Sequence, residues 1–496
     1  DSEKENYIEI GNAAKPEDKT LVISKKDITN DGELPGAIIK IKALDENADI
    51  TGITIKNATA KFETEKNEAG EDVITDKTYF TFESGATSAV IAGLPEGEYQ
   101  LIEDTAPLGY TKDTTVTFKV DENGAISVKG EDGNYTADED NKLEVKDKVI
   151  TATISKKDIT NDGELPGATL EIKSLDKTDL SDVTAKQGTN EVILEYKNEE
   201  GETESDIKSI ISFVSSDKET VLSMLPAGRY TLTEITAPDG YQKAETIEFV
   251  ILSDGKIQRV AGTDDNGNTV YNEVEAVVMK DSPSAIHISK KEITKTDELP
   301  GAILRIVLDK ADNKNADLSN VTATQNGEEA SGFKRATLEE ENADGEKIEK
   351  SYIEFMSIEK YDTVISKLPD GKYTLIEFQT PKDADGNSSH AKAENIGFTI
   401  KNGVVTSIEM SEKDKNNYSE DENKIADGTT VTGIVMRDNT TVTTTASTTE
   451  TDGTTTTTTE TAGTTTTTTE TAGTTTTTTE TDGTTTTTTV TEATTT

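Results

Sequence analysis

ISKKDITNDGELPGA, at Ile23–Ala37, recurs without change at Ile154–Ala168. A third, diverged copy, ISKKEITKTDELPGA, spans Ile288–Ala302. The first lysines of the three copies are 131 and 134 residues apart (156 − 25 and 290 − 156). Solenoid repeats are about 20–50 residues long, so a period of this length corresponds to a whole domain. The sequence therefore predicts three tandem copies of one module.

The repeats divide the 496 residues into predicted segments. Residues 1–19 are expected to be a linker or the end of an upstream module, because Tyr7–Asn12 resembles the last strand of such a module. The remaining predicted segments are module 1 over 20–150, module 2 over 151–284, a divergent module 3 over 285–439, and a Thr-rich low-complexity spacer over 440–496.

Composition excludes several classes of partner. The net charge is −46, from 96 acidic and 50 basic residues, which argues against nucleic acid and anionic lipid as partners. The chain has no cysteine, so neither disulfides nor thiolate metal sites can form. No apolar run approaches the length of a membrane helix, and no signal peptide opens the chain. We therefore expect no membrane insertion within this chain.

Each module has the pattern of an all-β domain. Apolar and polar residues alternate with a period of two in short runs such as Thr115–Val120 and Thr246–Leu252. Turn sequences rich in Gly, Asn and Asp separate these runs, as at Asp121–Gly124. No amphipathic helix of three turns is recognisable. The pattern predicts immunoglobulin-like β-sandwiches.

The C-terminal segment has a different composition. From about Asn439 it consists of decamers such as TTTTTTETAG, with Glu460, Glu470 and Glu480 ten residues apart. With so few apolar side chains it cannot offset the entropy of folding, which predicts a disordered spacer. Extended at about 3.1 Å per residue, it would span on the order of 180 Å. O-glycosylation of its threonines and a flat, ice-binding-like β-surface are alternatives, although the second lacks apolar interior positions.

Alternation places three charged side chains of each module on faces that otherwise form the core. In LVISK, residues Leu21, Ile23 and Lys25 share one face of the first strand. By the same test Glu103 shares a face with Tyr99 and Leu101, and Asp147 with Leu143 and Val145. The equivalent residues are Lys156, Glu234 and Asp281 in module 2, and Lys290, Glu377 and Asp438 in module 3.

Burial of these side chains has two interpretations. An isolated buried charge costs several kcal/mol, so such a set must be paired, neutralised or chemically consumed. A buried ion-pair network, or lysines whose ammonium groups reach the rim of the sandwich, would satisfy the pattern without chemistry. Repetition in three copies favours a chemical role.

At these residues the chain resembles the Cna protein B-type domain, the SpaA-like, prealbumin-like or inverse-immunoglobulin module of Gram-positive surface adhesins and pilins. The resemblance rests on the first-strand lysine, the terminal aspartate and a GxYxLxE box ending in Ala-Pro-x-Gly-Tyr. The box reads GEYQLIEDTAPLGY at Gly97–Tyr110 and GRYTLTEITAPDGY at Gly228–Tyr241. The third copy, GKYTLIEFQTPKDADG, keeps Glu377 and Pro381 but loses the Ala-Pro-x-Gly-Tyr ending.

The resemblance implies an autocatalytic isopeptide bond in each module. The implied bonds are Lys25–Asp147, Lys156–Asp281 and Lys290–Asp438, with Glu103, Glu234 and Glu377 as the catalytic residues. Desolvation lowers the pKa of a buried lysine and raises the pKa of a buried carboxyl group, so burial favours a neutral amine and a protonated acid. Each bond would form once, without turnover, so we expect no enzyme activity and no cofactor.

The resemblance and these features predict the structural stalk of an extracellular, bacterial cell-surface adhesin, attached to the cell wall through a region outside this chain. One alternative is that a module binds a host protein or glycan, for which the irregular loop Asp383–His390 of module 3 is the best candidate. A pilus subunit is a second alternative, although the sequence contains no YPKN-type lysine motif and no LPxTG signal.

Catalytic and metal sites find little support in the sequence. His287 and His390 stand alone, and His287 is expected on the solvent face of its strand. The acidic turn at Asp264–Gly267 does not fit an EF-hand, because Gly262 occupies the first ligand position. Hairpin turns explain the acidic turns, and we expect no metal.

Overall fold

The computed structural model describes residues 20–112, 115–138, 140–198, 207–264, 266–309, 316–341, 347–388, 390–411, 418, 422–423, 433–438 and five segments of the Thr-rich spacer, namely 445–451, 454–461, 464–471, 474–481 and 484–491. The predicted upstream strand Tyr7–Asn12 lies outside these residues. None of the described residues belongs to a helix, so none forms a helix able to cross a membrane.

The first repeat contains eleven strands in two sheets. One sheet has the order β11-β1-β6-β3 and the other β10-β9-β8-β7-β2-β5-β4. The strands are β1 (Leu21–Asp27), β2 (Ile38–Ala43), β3 (Thr54–Lys56), β4 (Lys61–Lys66), β5 (Asp72–Glu83), β6 (Ala89–Ala92), β7 (Gly97–Thr105), β8 (Thr115–Val120), β9 (Ile126–Lys129), β10 (Tyr135–Asp138) and β11 (Lys142–Asp147).

The second repeat has the same arrangement with one more strand. Its sheets have the orders β15-β14-β18-β12-β23 and β16-β17-β13-β19-β20-β21-β22. The strands are β12 (Thr151–Asp158), β13 (Thr169–Ser174), β14 (Thr184–Gln187), β15 (Asn190–Val192), β16 (Glu195–Lys197), β17 (Ile210–Val214), β18 (Thr220–Ser223), β19 (Gly228–Thr236), β20 (Ile247–Ile251), β21 (Ile257–Thr263), β22 (Thr269–Val274) and β23 (Ala276–Asp281).

The third repeat also forms two sheets, in the orders β27-β26-β30-β24-β34 and β28-β29-β25-β31-β32-β33. The strands are β24 (Ala285–Glu292), β25 (Ile303–Asp309), β26 (Thr322–Gln325), β27 (Glu328–Glu329), β28 (Lys334–Glu341), β29 (Lys347–Met356), β30 (Thr363–Ser366), β31 (Gly371–Gln379), β32 (Ile396–Lys401), β33 (Val404–Glu409) and β34 (Gly433–Asp438).

The first and last strands of a repeat are neighbours in one sheet. β1 and β11 run parallel, with Lys25 opposite Val145 and Asp27 opposite Asp147. β24 and β34 run parallel in the same register, with Lys290 opposite Met436. Side chains two residues apart on a strand share a face, so a first-strand lysine and a last-strand aspartate point to the same side.

Each repeat encloses its own apolar core between its two sheets. In the first repeat Ile23 and Val145 of one sheet and Ile41 and Leu101 of the other are all buried in one cluster. A stacked aromatic pair recurs in the cores, with ring centroids 5.4 Å apart in each case: Tyr99–Phe118, Tyr230–Phe249 and Tyr373–Phe398. The predicted all-β class and the sandwich architecture are confirmed.

The chain divides into two compact units, one of Asp1–Thr236 with Ala244–Lys280 and the other of Ala237–Lys243 with Asp281–Thr496. The first unit includes both sheets of the first repeat. The second unit includes both sheets of the third repeat. The module boundaries at 150, 284 and 439 remain a prediction.

The Thr-rich segment contains five strands in one antiparallel sheet, in sequence order. They are β35 (Thr445–Thr451), β36 (Thr454–Thr461), β37 (Thr464–Thr471), β38 (Thr474–Thr481) and β39 (Thr484–Thr491). Threonine favours extended backbone, which accounts for the strands. A sheet of this composition has no apolar face, so packing adds nothing to its backbone hydrogen bonds. Composition therefore favours a disordered spacer for these repeats in water.

Candidate crosslinking sites

The lysines predicted to face the core are buried. Lys25 lies on β1, Lys156 on β12 and Lys290 on β24, and each is at most 2% exposed. On β1, Lys25 shares one face of the strand with the buried residues Leu21 and Ile23, whereas Val22 and Lys26 on the other face are half-buried. The neighbouring lysine of the first pair, Lys26, instead contacts Asp31 with its Nζ 2.8 Å from Oδ2.

The glutamates lie in the facing sheet, each beside an irregularity in strand pairing. Glu103 on β7 is opposite Ile39 of β2, and the register shifts between Ile38 and Ile39. The register shifts at the same place beside Glu234 and beside Glu377. A bulge bends its strand and redirects nearby side chains, so this repeated irregularity helps to aim the glutamate into the core.

The aspartates end the last strand of each repeat. Asp147 ends β11, Asp281 ends β23 and Asp438 ends β34, and all three are buried. In this position the aspartate follows an apolar pair that anchors its strand, Leu143 and Val145 in the first repeat. The structure thus places all nine predicted residues in the interior.

The lysine ammonium groups lie against the carboxylates. In the first repeat Lys25 Nζ is 2.9 Å from Glu103 Oε1 and also contacts Asp147 Oδ1. In the third, Lys290 Nζ is 3.2 Å from Glu377 Oε1 and also contacts Asp438 Oδ1. In the second, Lys156 Nζ is 2.8 Å from Glu234 Oε1. Each lysine therefore lies within reach of its predicted catalytic glutamate.

The second carboxylate oxygen of the glutamate has a backbone partner in two of the repeats. Glu234 Oε2 accepts the N–H of Ala244, and Glu377 Oε2 accepts that of Ala393, each at 2.7 Å. The equivalent position of the first repeat, residue 113, lies outside the described residues. At the first site Lys25 is buried at ion-pair distance from Glu103 and Asp147, and burial of such charges is costly.

Burial changes the protonation of the acceptor aspartates. Desolvation raises the pKa of Asp147 to about 7, and the negative charge of Glu103 adds to the rise, while Lys25 opposes it. Desolvation likewise raises the pKa of Asp438 to about 7, with Glu377 adding to it and Lys290 opposing it. A protonated carboxyl group is a far better acyl acceptor than a carboxylate, so this shift favours attack by an amine.

A second glutamate, which the sequence analysis did not single out, positions the lysine strand. Ser24 Oγ donates a hydrogen bond to Glu33 Oε1 at 2.5 Å, and Leu34 N donates to Lys25 O at 2.7 Å. In the third repeat Lys290 N donates to Glu298 Oε2 at 2.9 Å, and Ser289 Oγ donates to Oε1 at 2.7 Å. The loop in the repeated segment therefore folds back onto the strand of the lysine. The signal was its Glu-Leu-Pro sequence, unchanged in all copies.

The irregular loop of the third repeat closes on itself. Asp383 N donates to Asn387 O at 2.9 Å, and Gly386 N donates to Asp383 O at 3.1 Å. Asp383 Oδ1 also accepts the N–H of Asp385 and that of Asn387. The backbone and the aspartate are therefore used within the turn, and binding of a host ligand by this loop stays a prediction.

His287 and the acidic turn at Asp264 have structural partners within the protein. His287 is exposed, as expected, and its Nδ1 lies 2.7 Å from Asp362 Oδ2. Asp264 Oδ1 accepts the N–H of Asn266 at 2.9 Å and that of Asn268 at 2.8 Å, which is the geometry of a turn. Within the described part of the chain, no group of three or more His, Cys, Asp or Glu side chains could hold a metal ion.

Removing the lysine is expected to make the stability of module 1 depend on pH. In Lys25→Met, Asp147 stays buried beside Glu103 and loses the charge that opposes its raised pKa. The folded state then binds a proton more tightly than the unfolded state. The resulting stabilisation of the module is complete below about pH 4 and is lost as pH rises towards the folded pKa of Asp147, which without Lys25 lies above 7. The slope is at most about 1.4 kcal/mol per pH unit. Urea unfolding of the full chain at pH 5 and pH 8, followed by circular dichroism, measures the difference.

The matched control is Lys25→Met with Asp147→Asn, in which the acceptor cannot ionise. Its free energy of unfolding should change less between the two pH values than that of Lys25→Met. Equal pH dependence of the two variants would contradict a raised pKa for Asp147.

Comparison with known proteins identifies the modules. Residues 19–134 and 150–266 match the family SpaA, described as a prealbumin-like fold domain. No curated protein sequence matches this chain.

Solved structures of bacterial proteins resemble the chain at low identity. The Bacillus anthracis TIE protein is 18% identical over 77% of this chain, with a TM-score of 0.24, and the match spans 48% of that protein's length. BcpA, the major pilin subunit of Bacillus cereus, is 16% identical over 85% of this chain and 99% of its own, with a TM-score of 0.23. The shaft pilin SpaA from Lactobacillus rhamnosus GG is 15% identical over 54% and 98%, with a TM-score of 0.19. With the sandwich fold and the two family matches together, the first two modules belong to the SpaA family of prealbumin-like domains, as the resemblance to Cna B-type repeats predicts.

Proposed function

We propose that this chain is a shaft segment of a Gram-positive surface protein or pilus, in which each module is locked by an isopeptide bond. The observation that carries the proposal is the buried Lys–Glu–Asp site between the first and last strands. An interior Lys25 in contact with both Glu103 and Asp147 is costly as an ion pair and well placed as a set of reactants.

The reaction is a condensation of an amine with a carboxylic acid. A proton passes from the Lys25 ammonium to the Asp147 carboxylate, which leaves a neutral amine and a neutral acid. Nζ then attacks Cγ, the C–N bond forms and a tetrahedral intermediate develops. One C–O bond breaks, and its oxygen leaves with two protons as water. The product is an uncharged amide, so the buried charges of the lysine and the aspartate disappear together.

Glu103 serves as the proton carrier in this scheme. Its Oε1 is 2.9 Å from Lys25 Nζ, within reach of the proton that the attacking nitrogen must lose. The same carboxyl group can deliver that proton to the departing oxygen of Asp147, because both side chains contact the lysine. Packing of the core holds the lysine amine next to the aspartate carboxyl group. The reaction therefore avoids the entropy cost of bringing two separate molecules together in water. Glu103 ends the reaction in its original state.

The bond suits a protein that must resist force and reduction. It would join residues 25 and 147, at opposite ends of the first module, so tension between the module's ends would run through covalent bonds. The chain has no cysteine, and an amide is not cleaved by the thiols that reduce a disulfide. The charge of −46 keeps neighbouring copies apart and soluble. The Thr-rich segment would extend the shaft.

The proposal is tested by peptide mapping of the natural full chain after digestion. A branched peptide in which Lys25 is joined to Asp147 should be found in place of the two linear peptides, with corresponding branched peptides for Lys156–Asp281 and Lys290–Asp438. Linear peptides alone at all three sites would overturn the crosslinking function. A branch from Lys26 instead of Lys25 would show that the assignment of the reactive lysine is wrong.

A further inference from the structure

The Ala-Pro-x-Gly-Tyr box of the first repeat contacts the second repeat. Ile150 N donates a hydrogen bond to Gly109 O at 2.8 Å, and Met224 N donates to Ile150 O at 3.0 Å. Lys112 N, just after the box, donates to Ser253 O at 2.7 Å. A series of backbone hydrogen bonds therefore runs from the box, through Ile150, to Met224 of the next repeat.

The glycine of this box allows a close approach of two backbones. A Cβ atom at Gly109 would lie 2.7 Å from Met224 O and 2.8 Å from Met224 Cα, and real Cβ atoms do not approach so closely. The φ angle of Gly109 is +81°, which also favours glycine. The overlap would be with backbone, which cannot move aside as a side chain can.

The second box makes the same contacts, within the second compact unit. Ser284 N donates to Gly240 O at 2.8 Å, and Lys367 N donates to Ser284 O at 3.1 Å. A Cβ atom at Gly240 would lie 2.6 Å from Lys367 O. Ala237–Lys243 and residues 281–496 belong to the same compact unit, so these contacts lie within it.

The receiving residues share an unusual backbone conformation. Met224 has φ +65° and Lys367 has φ +60°, a left-handed conformation that is uncommon for residues other than glycine, Asn and Asp. Both precede the Leu-Pro pair before the GxYxLxE box, so they are equivalent positions. The equivalent residue of the first repeat, Gly93, has φ +81°, so this conformation is a property of the same turn in all three repeats.

The third repeat, which the Thr-rich segment follows, has no such box. Its sequence at the equivalent place is Thr-Pro-Lys-Asp-Ala, at 380–384, and Lys382 pairs with Ser388 in a turn of the same loop. Within the first repeat the box also has a local role, since Tyr110 Oη donates to Asp27 Oδ2 at 3.1 Å. That contact does not require the close backbone approach of Gly109.

We propose that the Ala-Pro-x-Gly-Tyr box of the first repeat is the docking surface for the following module of the same kind, so that this box is a joint that fixes the first module on the second. The joint is separate from the crosslinking site and is independent of whether an isopeptide bond forms. It accounts for the loss of the box in the third repeat, which the Thr-rich segment follows.

The absence of cysteine makes the joint accessible to pulsed electron paramagnetic resonance. Nitroxide labels on Lys42→Cys in the first repeat and Glu248→Cys in the second, both exposed positions, report the distance between the two modules in the full chain. A single narrow distance distribution is expected for the otherwise unchanged protein. Gly109→Ala should broaden it at least twofold.

Two further variants keep the test decisive. Gly133→Ala has nearly the same φ, +84°, but its added methyl group meets nothing within 4 Å, so it should leave the distribution unchanged. Replacement of residues 106–110 by Thr-Pro-Lys-Asp-Ala, a sequence that the third repeat accommodates, should broaden the distribution as Gly109→Ala does. A broad distribution in the unchanged protein, or equal widths in all variants, would overturn the proposal.

Discussion

The folded full chain is expected to have a mass lower than that of its sequence by three water molecules. Each proposed bond releases one water, and the three sites share the same contact between lysine and glutamate. Replacing one catalytic glutamate by alanine should restore the mass of one water and leave the other two deficits unchanged. Intact-protein mass spectrometry of the chain and of Glu103→Ala, Glu234→Ala and Glu377→Ala resolves these states.

The matched control is Glu98→Ala, which removes a glutamate from the same strand as Glu103 but from its exposed face. Glu98→Ala should keep the full mass deficit of three waters. A deficit that survives Glu103→Ala would show that the lysine and the aspartate react without the glutamate as proton carrier. No deficit in the unchanged chain would leave buried ion pairs as the explanation of the sites.

The third site is the sharpest test of the shared mechanism. Its box has lost the Ala-Pro-x-Gly-Tyr ending, which in the sequence makes this module the most divergent. The structure nevertheless places Lys290 against both Glu377 and Asp438, and burial raises the pKa of Asp438 to about 7, as it does for Asp147. If the box is a joint, its loss should not prevent the bond. A mass deficit of only two waters, unchanged by Glu377→Ala, would mean that the third bond does not form. It would contradict the expectation that bond formation is independent of the box.

Strand alternation was sufficient to predict the interior side chains. Lys25, Glu103 and Asp147 each follow apolar residues at a spacing of two, and a strand with one buried face must place them inward. Repetition in three copies supported this interpretation where a single strand would not. The all-β class followed from the same alternation, and the predicted run Thr115–Val120 coincides with β8.

Contacts between strands that are distant in the sequence could not be predicted from strand alternation. Alternation assigns a face to Lys25 and to Asp147 separately, but the parallel pairing of β1 with β11 depends on how the whole sheet is ordered. The bulge beside Glu103 and the fold-back of Glu33 onto β1 are likewise set by packing between segments. Gly109 illustrates the same limit, because its need for glycine arises from a neighbour at Met224 in the next repeat.

Under tension, the crosslinked modules are expected to show almost no extension. In the first module the bond bypasses the 122 residues between Lys25 and Asp147 (147 − 25), so force from the neighbours never reaches the sandwich. Glu103→Ala should add one unfolding step of roughly 400 Å of contour length, at about 3.3–3.6 Å per residue. Single-molecule force spectroscopy of the full chain, held at both ends, measures the step.

The third site predicts a longer step than the other two. The bypassed segments are 125 residues in the second module (281 − 156), nearly the same as in the first, and 148 in the third (438 − 290), so Glu377→Ala should give the longest step, roughly 500 Å. Glu98→Ala should add none.

Crosslinking also removes conformational freedom from the unfolded chain. By the loop-entropy relation used for disulfides, closing a loop of this length stabilises a module by about 5 kcal/mol. An uncrosslinked module should therefore unfold at clearly lower urea concentration than its crosslinked neighbours, besides extending under force. An unchanged chain that already shows three long steps would have no covalent bypass. Its resistance to force would then depend on the parallel pairing of first and last strands alone, and the case for a covalently locked shaft would fail even if the sandwich fold and the joints between modules are as described.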